Sequence, residues 1–204
     1  MLLVTALCHN CRLLASLLKM MKPGFVRIIG GKWRRRRLQV PLIAGLRPTP
    51  DRVRETVFNW LTPTIGGAYC LDLFAGSGAL GIEALSRGAA FVVFVDRSPQ
   101  VVTLLKEELI ALEAPNADVY QANIPLNLRK TDRPFDIVFL DPPYADNLLL
   151  PSCFYLEEHG FLAPSAQIYL EAECAIKDNE LPNHWRIVKC QKAGQVIYHL
   201  VNRE

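Results

Sequence analysis

The sequence predicts a doubly wound α/β fold, a largely parallel sheet that closes on an antiparallel C-terminal pair, with a small basic β-hairpin and helix ahead of it. Three observations carry this expectation. Short apolar runs, YCLDLF (69–74), FVVFVD (91–96), DIVFLD (136–141) and QIYLE (167–171), have the look of strands buried on both faces, as in a parallel sheet covered by helices. Helical segments, ALGIEALSRG and SPQVVTLLKEELIALE, alternate with them. Between the first strand and the first of these helices lies DLFAGSGALG, whose Gly76-x-Gly78-x-x-Gly81 spacing marks a strand turning sharply into a helix with its backbone close to a ligand. That spacing is a dinucleotide fingerprint, and the glycines alone leave open whether the ligand is a nicotinamide, a flavin or another cofactor.

Taken in order, the first element is FVRII-GG-KWRRRRLQV, a β-hairpin with Gly30-Gly31 as its turn and Arg34, Arg35, Arg36 and Arg37 on its second strand. Charge on both faces of that strand predicts a hairpin that projects from the body. RPTPDRVRETVFNWL follows as a short helix, with Thr49 as N-cap, Pro50 at the first helical position, and Val53, Val57, Phe58 and Leu61 forming one apolar stripe. Gly88 stops the helix after the glycine turn, and Ser98 and Pro99 start the next one. ADVYQA is a weaker strand, and HWRIVKC and QVIYHLV form the C-terminal hairpin around Gly194.

Composition bounds the rest. At 204 residues, half of them hydrophobic, the chain suits one domain with a small appendage. Residues 1–60 carry 12 Lys/Arg and 2 Asp/Glu, a charge of +10; residues 61–204 carry 11 and 18, or −7, which sum to the net +3. A basic arm on an acidic body predicts a polyanionic partner, nucleic acid above all. The six cysteines form no framework and are expected to be reduced; Cys8-x-x-Cys11 lacks a second pair at zinc spacing, and no metal site is expected. The apolar opening, residues 1–20, is too short to span a membrane and lacks a signal-peptide layout. It fits an amphipathic helix, or a segment ahead of a true start at Met20 or Met21. The expected division is 1–20 as an extension, 21–62 as a basic unit that contacts nucleic acid, and 63–204 as the cofactor-binding domain, in a cytoplasmic monomer.

In such sheets the ligand lies beyond the carboxyl ends of the strands. Asp96 ends the second strand 20 residues after Gly76, where a carboxylate can accept from ribose hydroxyls. Asp72 lies inside an apolar strand, where an unpaired carboxylate costs several kcal/mol. A nicotinamide dinucleotide gives that acid no reason, whereas the sulfonium and ammonium of S-adenosylmethionine do. In Asp141-Pro142-Pro143-Tyr144 the prolines offer no N–H, so the Asp141 carboxylate and a nearby backbone carbonyl are left as convergent acceptors suited to an exocyclic amine, with Tyr144 as a flat face for a base.

DLFAGSGALGIEALSRGA, the acid of VFVD and FDIVFLDPPY resemble the amino-methylating, S-adenosylmethionine-dependent methyltransferases, whose sheet is seven-stranded and Rossmann-like. VRIIGGKWRRRRL and RPTPDRVRETVFNWL narrow the resemblance to the bacterial family that methylates N2 of a guanine in 16S ribosomal RNA; it covers about residues 25–200. The resemblance implies that Phe74, Ala75, Gly76, Ser77 and Gly78 hold the methionine part of the cofactor beside Asp72. It places Asp96 at the ribose, Arg97 among the cofactor-binding residues, Asn123 near the adenine where many class I methyltransferases have Asp, and Asp141 to Tyr144 at the target amine. Lys32, Trp33, Arg34 to Arg37, Arg47, Arg52 and Arg54 are the candidate RNA surface, the partner being 16S ribosomal RNA, free or in an assembled small subunit. Competing expectations are an adenine-N6 methyltransferase, a NAD-dependent oxidoreductase and a non-catalytic ribosome-binding module.

Overall fold

Residues alternate between two apolar layers along every central strand, and that alternation fixes the architecture. The computed structural model describes residues 24–43, 46 and 48–204; the 1–20 extension, the Cys8–Cys11 pair and Arg47 lie outside the described residues. A seven-stranded sheet runs in the order β5-β4-β3-β6-β7-β9-β8, from β3 (Tyr69–Asp72), β4 (Phe91–Asp96), β5 (Ala117–Gln121), β6 (Phe135–Leu140), β7 (Leu162–Ala172), β8 (Trp185–Ala193) and β9 (Val196–Arg203). Strands β3 to β7 are mutually parallel, and β9 is antiparallel to both β7 and β8. Cys70, Phe94, Ile137, Phe139 and Tyr169 face one layer; Leu71, Val93, Val95, Val138, Leu140 and Leu170 face the other. The order reverses at β3, with β4 on one side and β6 on the other, which opens a crevice at the carboxyl ends of β3 and β6.

The helices are α1 (Asp51–Leu61), α2 (Ala79–Ser86), α3 (Pro99–Ala111) and α4 (Leu149–Glu158). Val53, Val57, Phe58 and Leu61 are buried, as the stripe in α1 predicts. All eight residues of α2 are buried, because the sheet covers one side and the N-terminal hairpin the other. Helix α4 has no counterpart in the sequence reading: Leu148 offers no side-chain cap and Pro151 sits in its first turn, so neither usual start signal is present. No helix among the described residues is long and apolar enough to cross a membrane.

The hairpin differs from expectation. Its strands are short, β1 (Gly24–Arg27) and β2 (Arg37–Val40), so Arg34, Arg35 and Arg36 lie in the connection and only Arg37 lies on a strand. Nor does the hairpin project: Val26, Ile28, Trp33 and Leu38 are buried in the same core as α1, α2 and the sheet. Gly31, at φ 73°, is required by close approach as much as by a turn, since a side chain there would collide with the backbone of Ser86. The Trp33 amide donates to Ser86 Oγ at 3.0 Å and the Lys32 amide to the Ser86 carbonyl at 2.7 Å.

Glu83 locks this contact from inside α2. Its carboxylate accepts from the Ile29 and Gly30 amides, both at 2.8 Å, and from Arg87 Nε at 2.7 Å, and it pairs with Arg54 Nη1 at 3.5 Å. Arg54 is fully buried and also donates to the Thr49 and Arg27 carbonyls and to Asp51. Trp33 and Arg54 are thus interior residues and do not belong to an RNA-facing surface. Thr49 is not an N-cap either; α1 begins after Pro50 with no side-chain cap, and the Thr49 hydroxyl turns elsewhere. Glu83→Ala leaves the buried Arg54 charge with Asp51 as its one carboxylate partner among the described residues, and leaves two half-buried amides without their acceptor. Urea unfolding is expected to show a loss of about 3–5 kcal/mol.

Candidate active site

The crevice at the sheet reversal is lined by acids that the strands deliver in phase. Asp72 ends β3 and pairs in register with Phe139; Phe139 in turn pairs with Tyr169. Two residues further on each of β6 and β7, the same face carries Asp141 and Glu171. Three carboxylates from three adjacent strands therefore approach one another on the side of the sheet that α1 covers.

Each is held by a specific donor. The Gly81 amide, in the first turn of α2, donates to Asp72 Oδ2 at 2.9 Å, and a side chain at Gly81 would meet Phe94 and that carboxylate, so glycine brings the helix against the acid. Burial pushes the Asp72 pKa up to about 7, with the charge of Asp96 adding to the effect. Asp96 closes the glycine turn: its Oδ2 accepts from the Gly76 amide at 2.9 Å and its Oδ1 from the Ser98 amide at 2.8 Å, each oxygen retaining a second lone pair. Gly76 and Gly78 both adopt positive φ, at 51° and 73°, which gives the turn its shape; within it Ala75 and Ser77 are buried and Phe74 half-buried.

At the end of β6, Thr49 Oγ1 donates to Asp141 Oδ2 at 3.3 Å, tying the segment before α1 to the crevice. Pro142 is buried, Pro143 exposed and Tyr144 half-buried. The Tyr144 hydroxyl donates to Glu171 Oε1 at 3.0 Å, and Tyr169 donates to Oε2 at 2.7 Å. Burial raises the Asp141 pKa well above the carboxylate range, with Glu171 and Asp72 contributing; burial raises Glu171 too, against the lowering by its two tyrosine donors. Among the described residues, none of Asp72, Asp96, Asp141 and Glu171 is ion-paired with Lys, Arg or His. The crevice is rich in acceptors, and among the described residues no cation pairs with them.

Thr49 and Glu171 are the site residues that sequence reasoning missed. Glu171 carried a usable signal, an acid at the end of a buried strand like Asp72 and Asp96, whereas Thr49 was masked by a plausible capping role. Arg97 and Asn123 lie at the periphery, both exposed; Arg97 Nη1 reaches Asp146 Oδ2 at 2.7 Å and so links the loops after β4 and β6. The arginine-bearing turn is not at this edge. It packs on Ser86 and Ala111, the C-terminal ends of α2 and α3, with Arg36 donating to the Ala111 carbonyl at 3.0 Å. Because α2 runs back along the sheet, the turn and the crevice are about 12 Å apart along that helix. Lys32, Arg34 to Arg37 and Arg52 are exposed.

Comparison with known proteins places this geometry. The family model described as Conserved hypothetical protein 95 matches residues 26–202. The Escherichia coli (strain K12) protein named ribosomal RNA small subunit methyltransferase D is 48% identical over 181 residues, 89% of this chain and 91% of that one. Its Haemophilus influenzae namesake is 44% identical over 87% of this chain and 93% of its own. The solved structure of the Escherichia coli yhhF protein superposes with a TM-score of 0.80 at 48% identity, over 89% of this chain and 99% of that one.

The raised Asp72 pKa fixes the sign of a pH effect. Below about pH 4 the acid is neutral whether the chain is folded or not; as pH rises toward 7 the unfolded chain releases its proton first, so folding stability is lost over that window. Asp72→Asn has no such charge. The stability of the ligand-free Asn variant relative to wild type is expected to rise between about pH 4 and pH 7 and to level off above that, measured by thermal melts across the range.

Proposed function

The chain belongs to the Conserved hypothetical protein 95 family, and on that footing we propose that it transfers the methyl group of S-adenosylmethionine to the exocyclic N2 amine of a guanine in 16S ribosomal RNA. The observation that carries this reading is the set of buried and half-buried carboxylates that no cation faces among the described residues. A nicotinamide dinucleotide would bring a pyrophosphate, and hence more negative charge, to the same pocket; a sulfonium and an ammonium bring what the pocket lacks. The turn Phe74–Gly78 and Asp72 would hold the methionine part, Asp96 the ribose, and Arg97 and Asn123 the outer rim. When bound, the cofactor supplies a methyl group activated by a positively charged sulfur.

The protein's own contribution is placement of the amine. Its nitrogen lone pair is delocalised into the base and is a poor nucleophile. The Asp141 carboxylate and the Pro142 carbonyl accept the two amine hydrogens, which favours a more pyramidal nitrogen and aims its lone pair, while Tyr144 supports the ring. Asp141, made more basic by burial and by Glu171, is placed to accept the proton that leaves the methylated amine. The lining also bears on the base. Guanine presents a second donor, N1–H, on one side of its N2 amine and the N3 acceptor on the other, whereas adenine has no ring N–H beside its N6 amine. A pocket bounded by two carboxylates and two prolines that lack N–H groups suits the guanine edge.

Residues 21–62 serve as the RNA-contacting unit and 63–204 as the catalytic domain of a cytoplasmic monomer. Of the described basic residues, Lys32, Arg34, Arg35, Arg37 and Arg52 are exposed; the first four, with the turn at the far end of α2, suit phosphates away from the target nucleotide, and Arg52, in the first turn of α1, suits one nearer the crevice.

Three experiments test this. Labelled methyl transfer to small-subunit RNA, followed by nucleoside analysis, is expected to yield N2-methylguanosine, and N6-methyladenosine would redirect the assignment. Asp141→Ala is expected to lower turnover by about a thousandfold while cofactor affinity by calorimetry stays within about threefold. Separately, Arg34→Glu with Arg35→Glu is expected to weaken RNA binding and to flatten its dependence on salt by about two phosphate contacts, read from binding titrations over a salt series.

A further inference from the structure

Glu171 has an arrangement that structural economy does not explain. Its side chain is buried, with the residue 5% exposed, next to Asp141 and facing no cation among the described residues. Both oxygens are engaged by phenols, Tyr169 on its own strand at 2.7 Å and Tyr144 across the crevice at 3.0 Å. For stability alone an apolar residue between β7 and the β6 loop would serve better, because burying a carboxylate beside like charge is costly.

The loop it reaches has few other restraints. Tyr144–Asp146 form a single 3-10 turn closed by Asp146 N–H to the Pro143 carbonyl at 3.1 Å and Asn147 N–H to the Tyr144 carbonyl at 3.2 Å, and Asn147 leaves it in the left-handed region at φ 51°. Its side chains reach the rest of the protein through the Arg97–Asp146 ion pair and the Tyr144–Glu171 hydrogen bond. The first is largely solvent-exposed, 61% at Arg97, a class of contact that contributes little. The second reaches a buried carboxylate from a half-buried phenol, a hydrogen bond to an acid and the stronger kind.

We infer that Glu171 is a positioning residue: gripped by Tyr169 on one side, it holds the Tyr144 ring and, through it, the Asp141-Pro142-Pro143 turn in the orientation that receives the base. This rests on the amine-methylating reading of the crevice. It differs from that reading in locating the control of the Tyr144 ring on β7, outside the Asp141–Tyr144 motif. Burial and the neighbouring acids raise the Tyr144 and Tyr169 pKa above their ordinary value, which keeps both phenols protonated and able to donate.

The test uses the full-length protein with Tyr144→Phe, Glu171→Gln, Glu171→Ala and the double variant Tyr144→Phe with Glu171→Ala. Hydrogen exchange on the ligand-free protein reads the loop directly: the Asp146 and Asn147 amides are expected to exchange about tenfold faster in Tyr144→Phe and Glu171→Ala. In methyl transfer, each of these two is expected to lower kcat about tenfold with KM for the cofactor within about twofold, Glu171→Gln less because its amide oxygen still accepts one phenol. The double variant is expected to be no slower than about twofold below either single, since both remove one interaction. Unchanged exchange in Tyr144→Phe and Glu171→Ala, or kcat losses that multiply in the double variant, would overturn the inference. Absence of methyl transfer by the unaltered protein would instead remove the amine-methylating reading, and the exchange data would still decide what holds the loop.

Discussion

The structure depends on one electrostatic constraint: carboxylates from β3, β4, β6 and β7 converge at the carboxyl edge of the sheet, and no cationic side chain meets them among the described residues. Elsewhere the fold pairs its buried charge with care. Arg54 and Glu83, both buried, meet each other and take backbone partners besides. The contrast within one small protein is informative, since unpaired buried charge persists only where something compensates it. Around the crevice the compensation is partial, from helix and loop amides and from hydroxyls, and it leaves room for a cationic ligand.

The same charge economy explains the lopsided sequence. The basic first third is put to three uses. Among the described residues, Arg54 goes inside and joins the hairpin to α1 and α2; Arg36 caps the C-terminal end of α3; Arg34, Arg35 and Arg37 are exposed in and beside the hairpin turn. The segment that carries them also returns to the crevice, where Thr49 reaches Asp141. A single short stretch of chain therefore links the basic turn to Asp141 in the crevice.

Much of this was legible in the residues. The buried strands, the glycine turn, the stripe of α1 and the C-terminal hairpin follow from period and turn chemistry, which local sequence encodes. What was not legible depends on partners distant in sequence. The four arginines look like a projecting strand until Gly31 is seen against Ser86; Arg54 looks like surface until Glu83, 29 residues away, is placed beside it. Thr49 satisfies every local rule for a cap and is used otherwise, and α4 forms without a cap because packing under β7 supplies what its termini do not. Glu171 was overlooked because its role exists only once β7 lies next to β6.

The central claim, that the acidic crevice is completed by a cationic cofactor, is tested most directly by calorimetry of the purified full-length protein with S-adenosylmethionine and with NAD under identical conditions. The account predicts saturable one-to-one binding of S-adenosylmethionine and no measurable heat of binding for NAD. Binding of NAD as tight as that of S-adenosylmethionine, or tighter, would contradict it.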